Sequence, residues 1–408
     1  MQPNPPVKLG TPARAGVGKR WLRKLSGGQW LPAYLWQRLT RSVPRGQVHL
    51  IIALADHFEP AIVPGDGRAR ASYAEQESRL ERWSIEYPQA VGAWRDHEGQ
   101  PLAHTYFYPA EQYDRGLLER LAEHCHSGWG EVEIHLHHGI DSPDTAEHTR
   151  QQLVEFRDAL VRDHGCLCFV EGSDQPRYAF VHGNFALANS AGGLWCGVDS
   201  ELAILAETGC YADFTMPAAA FHPAQISKVN ALYECLPPLS RRAAHREGRN
   251  LRVGRSLQTF PVMVQGPLMI DFDRQARNGI ARFENAALVG ANPPSMHRLE
   301  LWKKAAIAVQ GRPDWLFIKL HCHGMDPTDR EAVLGAGMRR FLSELTEKAP
   351  DRRECLHFVT AREMMNIIWA ACDGRAGDPG QYRDYRLRRA REISIGRKPE
   401  SSQVEVRK

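Results

Sequence analysis

The sequence predicts an α/β fold built on parallel strands, a β/α barrel of seven to eight strands, and two observations predict it. Short apolar runs alternate with stretches of helical period. The apolar runs also end, one after another, in polar or histidine-rich residues, and the C-terminal rim of the strands is where a β/α barrel carries its active site. In chain order the runs are VHLIIALADHFEP from Val48, HTYFYP from His104, EVEIHLHH from Glu131, RYAFVHGNF from Arg177, YADFTMPA from Tyr211, GPLMIDF from Gly266, WLFIKLHCHG from Trp315 and CLHFVT from Cys355. The clearest helix between them is TAEHTRQQLVEFRDALVRDHG, opened by a capping Thr145 and stopped at Gly165. The stretch from Ala220 to Gly266 breaks the alternation and reads as a long insertion or hairpin.

The ends differ from the middle. Residues 1–20 read as a disordered basic arm, because proline, glycine and positive charge dominate and little can be buried. Residues 21–45 form a basic aromatic segment, residues 46–372 the barrel, and residues 373–408 a charged, mobile tail. The net charge of +4 is too small to argue for nucleic acid. Yet residues 1–45 hold nine arginines and lysines and no acid. Within them WLRKLSGGQWLPAYLWQRL has the composition of an interfacial segment, which either touches an anionic membrane surface or packs onto the main domain. No apolar run approaches the roughly 18 residues of a membrane span and the N-terminus lacks a secretory core, so the expected location is the cytoplasm. Nine cysteines without CxxC spacing fit reduced thiols there.

The chemistry concentrates at three predicted strand ends. Strand one ends in LADHFEP, delivering Asp56, His57 and Glu59. Strand three, EVEIHLHHGID, alternates its faces: Val132, Ile134 and Leu136 point one way, and Glu131, Glu133, His135 and His137 the other. An H-x-H pair on one strand face sets two imidazoles about 7 Å apart at the backbone, close enough to share a metal. His138 faces away from His137 and is the least useful of the three. Strand seven repeats the device with His321 and His323. A single histidine would be read as structural; two H-x-H pairs and an Asp-His pair at strand ends point to a metal site.

These motifs resemble those of the polysaccharide deacetylase superfamily, whose NodB-homology fold is a distorted β/α barrel that removes acetyl groups from glycans with a divalent metal. LADHFEP is similar to the first motif, which implies Asp56 as general base and His57 as metal ligand. EVEIHLHHGID is similar to the second, in either of two registers: His135 with Gly139 four later, or His137 with Asp141 four later. LAETGCYADFTMP resembles the stretch before a later strand, with Thr215 and with Asp213 as a substrate-binding candidate. WLFIKLHCHG resembles the closing motif, which implies His321 as general acid. The family's arginine-proline motif is not recognisable; RYAFVHGNFAL stands in its place, with His182 and Asn184 as substrate-binding candidates.

The resemblance implies a metal-dependent hydrolase releasing an N-acetyl or other acyl group from a glycan or lipid-linked sugar. The ion would be held by His57, His135 and His137, with Asp141, His323, Glu133 and Glu59 as further ligands or as groups orienting the imidazoles. Zinc suits so imidazole-rich a set better than magnesium. Tyr106, Tyr108 and Trp195 are candidates to stack on sugar rings. Two alternatives remain: a metal hydrolase of the amidohydrolase type, and a barrel that has lost activity and binds a glycan or a partner protein.

Overall fold

The computed structural model describes residues 28–66, 69–272 and 282–390. The basic arm, the first part of the aromatic segment and the last part of the tail lie outside the described residues. Seven of the eight predicted strands join one large, mostly parallel sheet of 13 strands. They are β1 (Val48–His57), β2 (His104–Pro109), β3 (Glu131–Leu136), β5 (Pro176–His182), β6 (Cys210–Asp213), β13 (Trp315–Cys322) and β14 (Glu354–Val359). The eighth run supplies instead β10 (Met269–Asp271), which pairs antiparallel with β11 (Arg282–Glu284) in a separate ribbon.

With β4 as Cys168–Val170, β7 as Leu232–Cys235, β8 as Gly248–Asn250, β9 as Val262–Val264 and β12 as Ala287–Leu288, the main sheet runs β12-β13-β1-β2-β3-β5-β6-β9-β7-β8. No ladder among the described residues joins its ends, so the sheet does not close where the sequence suggested a distorted β/α barrel. The predicted insertion does contain a hairpin, β7 with β8, but it also contributes β9, which extends the parallel run beside β6. The short VMV of β9 carries too little periodicity to be seen in sequence.

The sheet is buried on both faces, so alternation sorts residues between two cores rather than between core and solvent. On β1, Leu50, Ile52 and Leu54 pack with Leu80, Trp83 and Tyr87 of the helix α2 (Tyr73–Val91), which follows α1 (Leu31–Thr40). The alternate residues Ile51, Ala53 and Ala55 share the second core with Phe107, Val181 and Phe317, closed by Ile367 and Ile368. Strand β1 lies at the centre. It pairs with β13 along one side, while β14 takes its first half and β2 its last four residues on the other.

The connecting helices include α3 (Arg115–His124), α4 (Ala146–His164), α5 (Glu201–Thr208), α6 (Met296–Lys304), α7 (Glu331–Leu334), α8 (Ala336–Lys348) and α9 (Ala361–Cys372). Helix α4 begins and ends as its sequence predicts: the Thr145 hydroxyl accepts from His148 N at 3.2 Å, and Gly165 takes the left-handed conformation at φ 61°.

Helix α1 packs onto the domain. Trp30, just before it, is fully buried and donates its indole N–H to Ala220 O at 2.9 Å, while Leu35, Trp36 and Leu39 stay exposed. Part of the predicted tail is also ordered: β15 (Leu387–Arg389) pairs antiparallel with β4. Arg362, 1% exposed along its side chain, fixes that segment through Glu131 at 2.8 Å, Asp384 at 2.5 Å and the Leu387 carbonyl at 2.8 Å. Charge repetition made this stretch look solvated; a buried guanidinium draws it in. Among the described residues no helix is long and apolar enough to cross a membrane.

Candidate metal centre

Adjacent parallel strands end together, and this brings the predicted histidines to one place. His57 closes β1, with Glu59 two residues on; His135 is near the end of β3, with His137 just past it; His323 follows β13. The ring of His57 lies 4.9 Å from that of His135 and 4.8 Å from that of His323, centre to centre, and His135 lies 4.4 Å from His137. Two ligand triads result, His57–Glu59–His323 and Glu59–His135–His137, and Glu59 belongs to both. The centre opens into a cavity of about 930 Å³, lined also by Glu111, Asp141, Asn184, Phe185, Trp195 and Asp326.

The imidazoles are oriented from behind. His135 faces the Val181 carbonyl with Nδ1 at 2.8 Å, and since a carbonyl only accepts, Nδ1 carries the hydrogen. Its Nε2 lone pair then looks at Glu59 Oε1, 3.2 Å away. His137 faces Glu111 with Nδ1 at 2.9 Å and Glu59 with Nε2 at 3.5 Å. Burial pushes the Glu59 carboxyl up, but the charge on His137 and the adjacent His135 ring outweigh it and hold Glu59 down to about 2. Burial lowers His137, and Glu59 and Glu111 raise it more, to about 9. Glu59 therefore faces a positive charge, supplied by the proton on His137 or, with both imidazoles neutral, by a metal ion between their Nε2 lone pairs and the carboxylate. An imidazole and carboxylate set of this kind fits a divalent ion.

Other residues proposed from sequence go elsewhere. Asp56 is on the opposite face of β1, fully buried, and does not line the cavity. Its Oδ2 accepts from His104 Nε2 at 2.8 Å and its Oδ1 from Gly324 N at 2.7 Å, so it is a buried anchor and not a base facing water. The aspartate precedes His57 by one residue, and strand alternation sends the two to opposite faces.

Glu133 shares a face with His135 but stays in the core, accepting from Tyr211 Oη at 2.5 Å and Ala179 N at 2.6 Å; burial raises it to about 8. It orients no imidazole. Asp213 accepts from Thr215 and is buried away from the cavity, as is His182. Tyr106 and Tyr108 are fully buried core, whereas Trp195 and Asn184 line the cavity. His321 is buried 6.3 Å from His57, ring to ring; burial and the nearby Lys319 charge hold it well below its ordinary value, so it stays neutral and is no proton store.

Glu111 and the surroundings of His138 escaped the sequence reading. Glu111 lies two residues past β2, a strand end that carried no histidine to draw attention to it. His138 does turn away from His137, but it turns toward His182, Cys196 and Glu201. The cysteine and glutamate stand in a stretch without any recognisable motif.

Comparison of the chain with protein-family models and with curated proteins finds no match.

Proposed function

We propose that the protein is a metal-dependent hydrolase of the polysaccharide deacetylase kind, in a distorted barrel arrangement, removing an N-acetyl or other acyl group from a glycan or lipid-linked sugar. One observation carries the reading: the Nε2 atoms of His135 and His137 converge on Glu59 Oε1, their other ring nitrogens already anchored, at the mouth of a cavity of about 930 Å³. Such a cavity accommodates a sugar ring or two.

His57, Glu59, His135, His137 and His323 would hold the ion. A divalent ion there supplies an activated water and polarises the acyl carbonyl. The chain's own groups do the rest. Val181 O and Glu111 fix the ring orientations of His135 and His137. Asp141 and Asp326, wall carboxylates outside the ligand set, are placed to take the proton that Asp56 cannot reach. Asp326 follows His323 closely, its N–H donating to the His323 carbonyl at 3.0 Å. Trp195 and Phe185 offer apolar faces to a sugar, and neutral His321 offers a hydrogen-bond partner behind His57.

The test is acetate release from N-acetylated oligosaccharides by zinc-loaded protein, with Glu59→Gln, Asp141→Asn and Asp326→Asn alongside. E59Q should lose the cleft ion and activity together; one of the two Asn variants should lose turnover and keep the ion. Wild-type protein that binds zinc and glycan yet releases no acyl group would favour a binding protein on the same fold. A second reading, a two-ion hydrolase of the amidohydrolase type, is favoured by the presence of Glu59 in both triads. It predicts two ions in the cleft and hydrolysis of non-glycan amides.

The exposed Leu35, Trp36 and Leu39 of α1 follow directly on the basic stretch that precedes the described residues. They support a working position at an anionic membrane surface, suited to a lipid-linked substrate.

A further inference from the structure

The third histidine of the HLHH run belongs to a second constellation. His138, His182, Cys196 and Glu201 come from the end of β3, the end of β5, the loop after β5 and the first turn of α5, and all four are buried. His138 Nε2 lies 3.0 Å from His182 Nε2 and 3.1 Å from Glu201 Oε1, and His182 Nε2 lies 3.5 Å from the same oxygen. Cys196 Sγ is 3.6 Å from Glu201 Oε2. Four donors around a zinc ion at metal distances of 2.0–2.3 Å stand roughly 3.3–3.8 Å apart, so small movements would complete a tetrahedron.

The hydrogen-bond arithmetic favours an ion. His138 Nδ1 is committed to Asp144 Oδ2 at 2.9 Å, and His182 Nδ1 to the Gly183 carbonyl. In their neutral forms both rings therefore present Nε2 lone pairs to each other and to a carboxylate. One proton on His138 satisfies His182 or Glu201, and leaves the thiol only the long contacts of a weak donor, to Glu201 Oε2 at 3.6 Å and to the Val198 carbonyl at 3.7 Å. A zinc ion satisfies all four, and with one thiolate, one carboxylate and two neutral imidazoles the buried site carries no net charge. The surroundings match as well. A carboxylate behind one histidine and a carbonyl behind the other are the usual outer partners of zinc-bound imidazole, and Val198 N donates to Cys196 Sγ at 3.4 Å.

We infer that these four residues form a structural zinc site separate from the cleft, with all positions filled by protein. Its task is to hold the loop 183–197. Asn184, Phe185, Ala188, Asn189 and Trp195 in that loop all take positive φ, a conformation that costs non-glycine residues energy and persists only where surroundings enforce it. The loop delivers Cys196 to the zinc and its neighbour Trp195, with Asn184 and Phe185, to the cavity wall. A methyl group at Gly139 would collide with the Cys196 carbonyl oxygen, so this loop sits directly against the segment that carries His138. The inference stands whatever the cleft acts on.

Cobalt substitution of the full-length protein tests it without any appeal to activity. A thiolate-to-cobalt charge-transfer band should form, disappear in Cys196→Ala, and persist in Glu59→Gln, whose lesion is in the cleft. Metal analysis should find C196A short by one zinc per chain relative to wild type. Asp144→Asn, which keeps the packing, should weaken zinc about 10- to 100-fold at this site alone. Wild-type protein that takes up cobalt without a thiolate band, or C196A with the full zinc content, would overturn the assignment and leave an ion-paired network centred on protonated His138. Failure of the hydrolase reading would show differently, as a thiolate band with no acyl release.

Discussion

Replacing Asp56 separates two accounts of the same residue. If Asp56 were the base, Asp56→Asn would be stable and inactive. Its surroundings give the opposite expectation. The carboxylate is fully buried, with one oxygen accepting from His104 Nε2 and the other from Gly324 N. Alanine at this position leaves both donors buried without an acceptor, at about 1–3 kcal/mol each, so D56A should cost roughly 2–6 kcal/mol.

Asparagine still accepts from Gly324 through Oδ1. Its amide nitrogen faces His104, which must then accept at Nε2 and carry its proton on Nδ1, a buried atom with no hydrogen-bond partner. One orphaned donor sets the D56N cost at about 1–3 kcal/mol. Gly324→Ala attacks the contact from the other side, because its Cβ would lie 2.6 Å from the Trp83 ring and clash with the Asp56 carboxylate. Thermal denaturation and acyl release, measured on the same preparations, decide the matter: D56A and G324A should melt well below wild type, and D56N should melt slightly below it with kcat within a few fold. A D56N protein with wild-type melting and activity down more than about 100-fold would refute the reasoning and restore Asp56 to the reaction.

Three further outcomes follow from other parts of the molecule. Arg362→Ala should cost about 1–3 kcal/mol, because it leaves Glu131 with Arg389 as its remaining guanidinium partner and removes the donor to Asp384 and to the Leu387 carbonyl that holds the segment ending at β15; limited proteolysis should then cut between Cys372 and Ala390 faster than in wild type. Burial lifts the Asp213 carboxyl from the usual 3.8 to about 7. Between about pH 4 and 7 the folded chain keeps a proton that the unfolded chain has lost, so this group's contribution is complete below that window and falls as pH rises through it, by up to about 4 kcal/mol. Asp213→Asn should flatten that fall in pH-dependent melting, and an unchanged profile would count against the assignment. Finally, full-length protein should float with anionic vesicles more than with neutral ones, and Trp36→Ser with Leu39→Ser should abolish the difference; equal recovery from both vesicle types would limit α1 to its packing role.

What the sequence determined by itself was local and periodic. Alternation along EVEIHLHH placed His135 and His137 on one face and Val132, Ile134 and Leu136 on the other, and the two buried cores keep that division. The capping Thr145 and the left-handed Gly165 bounded α4. Seven apolar runs named seven strands of the sheet, because a strand's burial is written in its own residues. The tertiary structure decided whatever depended on partners distant in the chain. Asp56 and His57 are neighbours in sequence, but only the packing of β1 between two cores shows that one meets His104 and the other His135. The sheet's open edges follow from which ladders form, a matter of pairing that no single run encodes. His138 looked expendable because its partners, Cys196 and Glu201, lie 58 and 63 residues further on, as the numbering itself gives. No periodicity links them; they meet because one loop crosses directly over Gly139, where any side chain would collide with the backbone of Cys196.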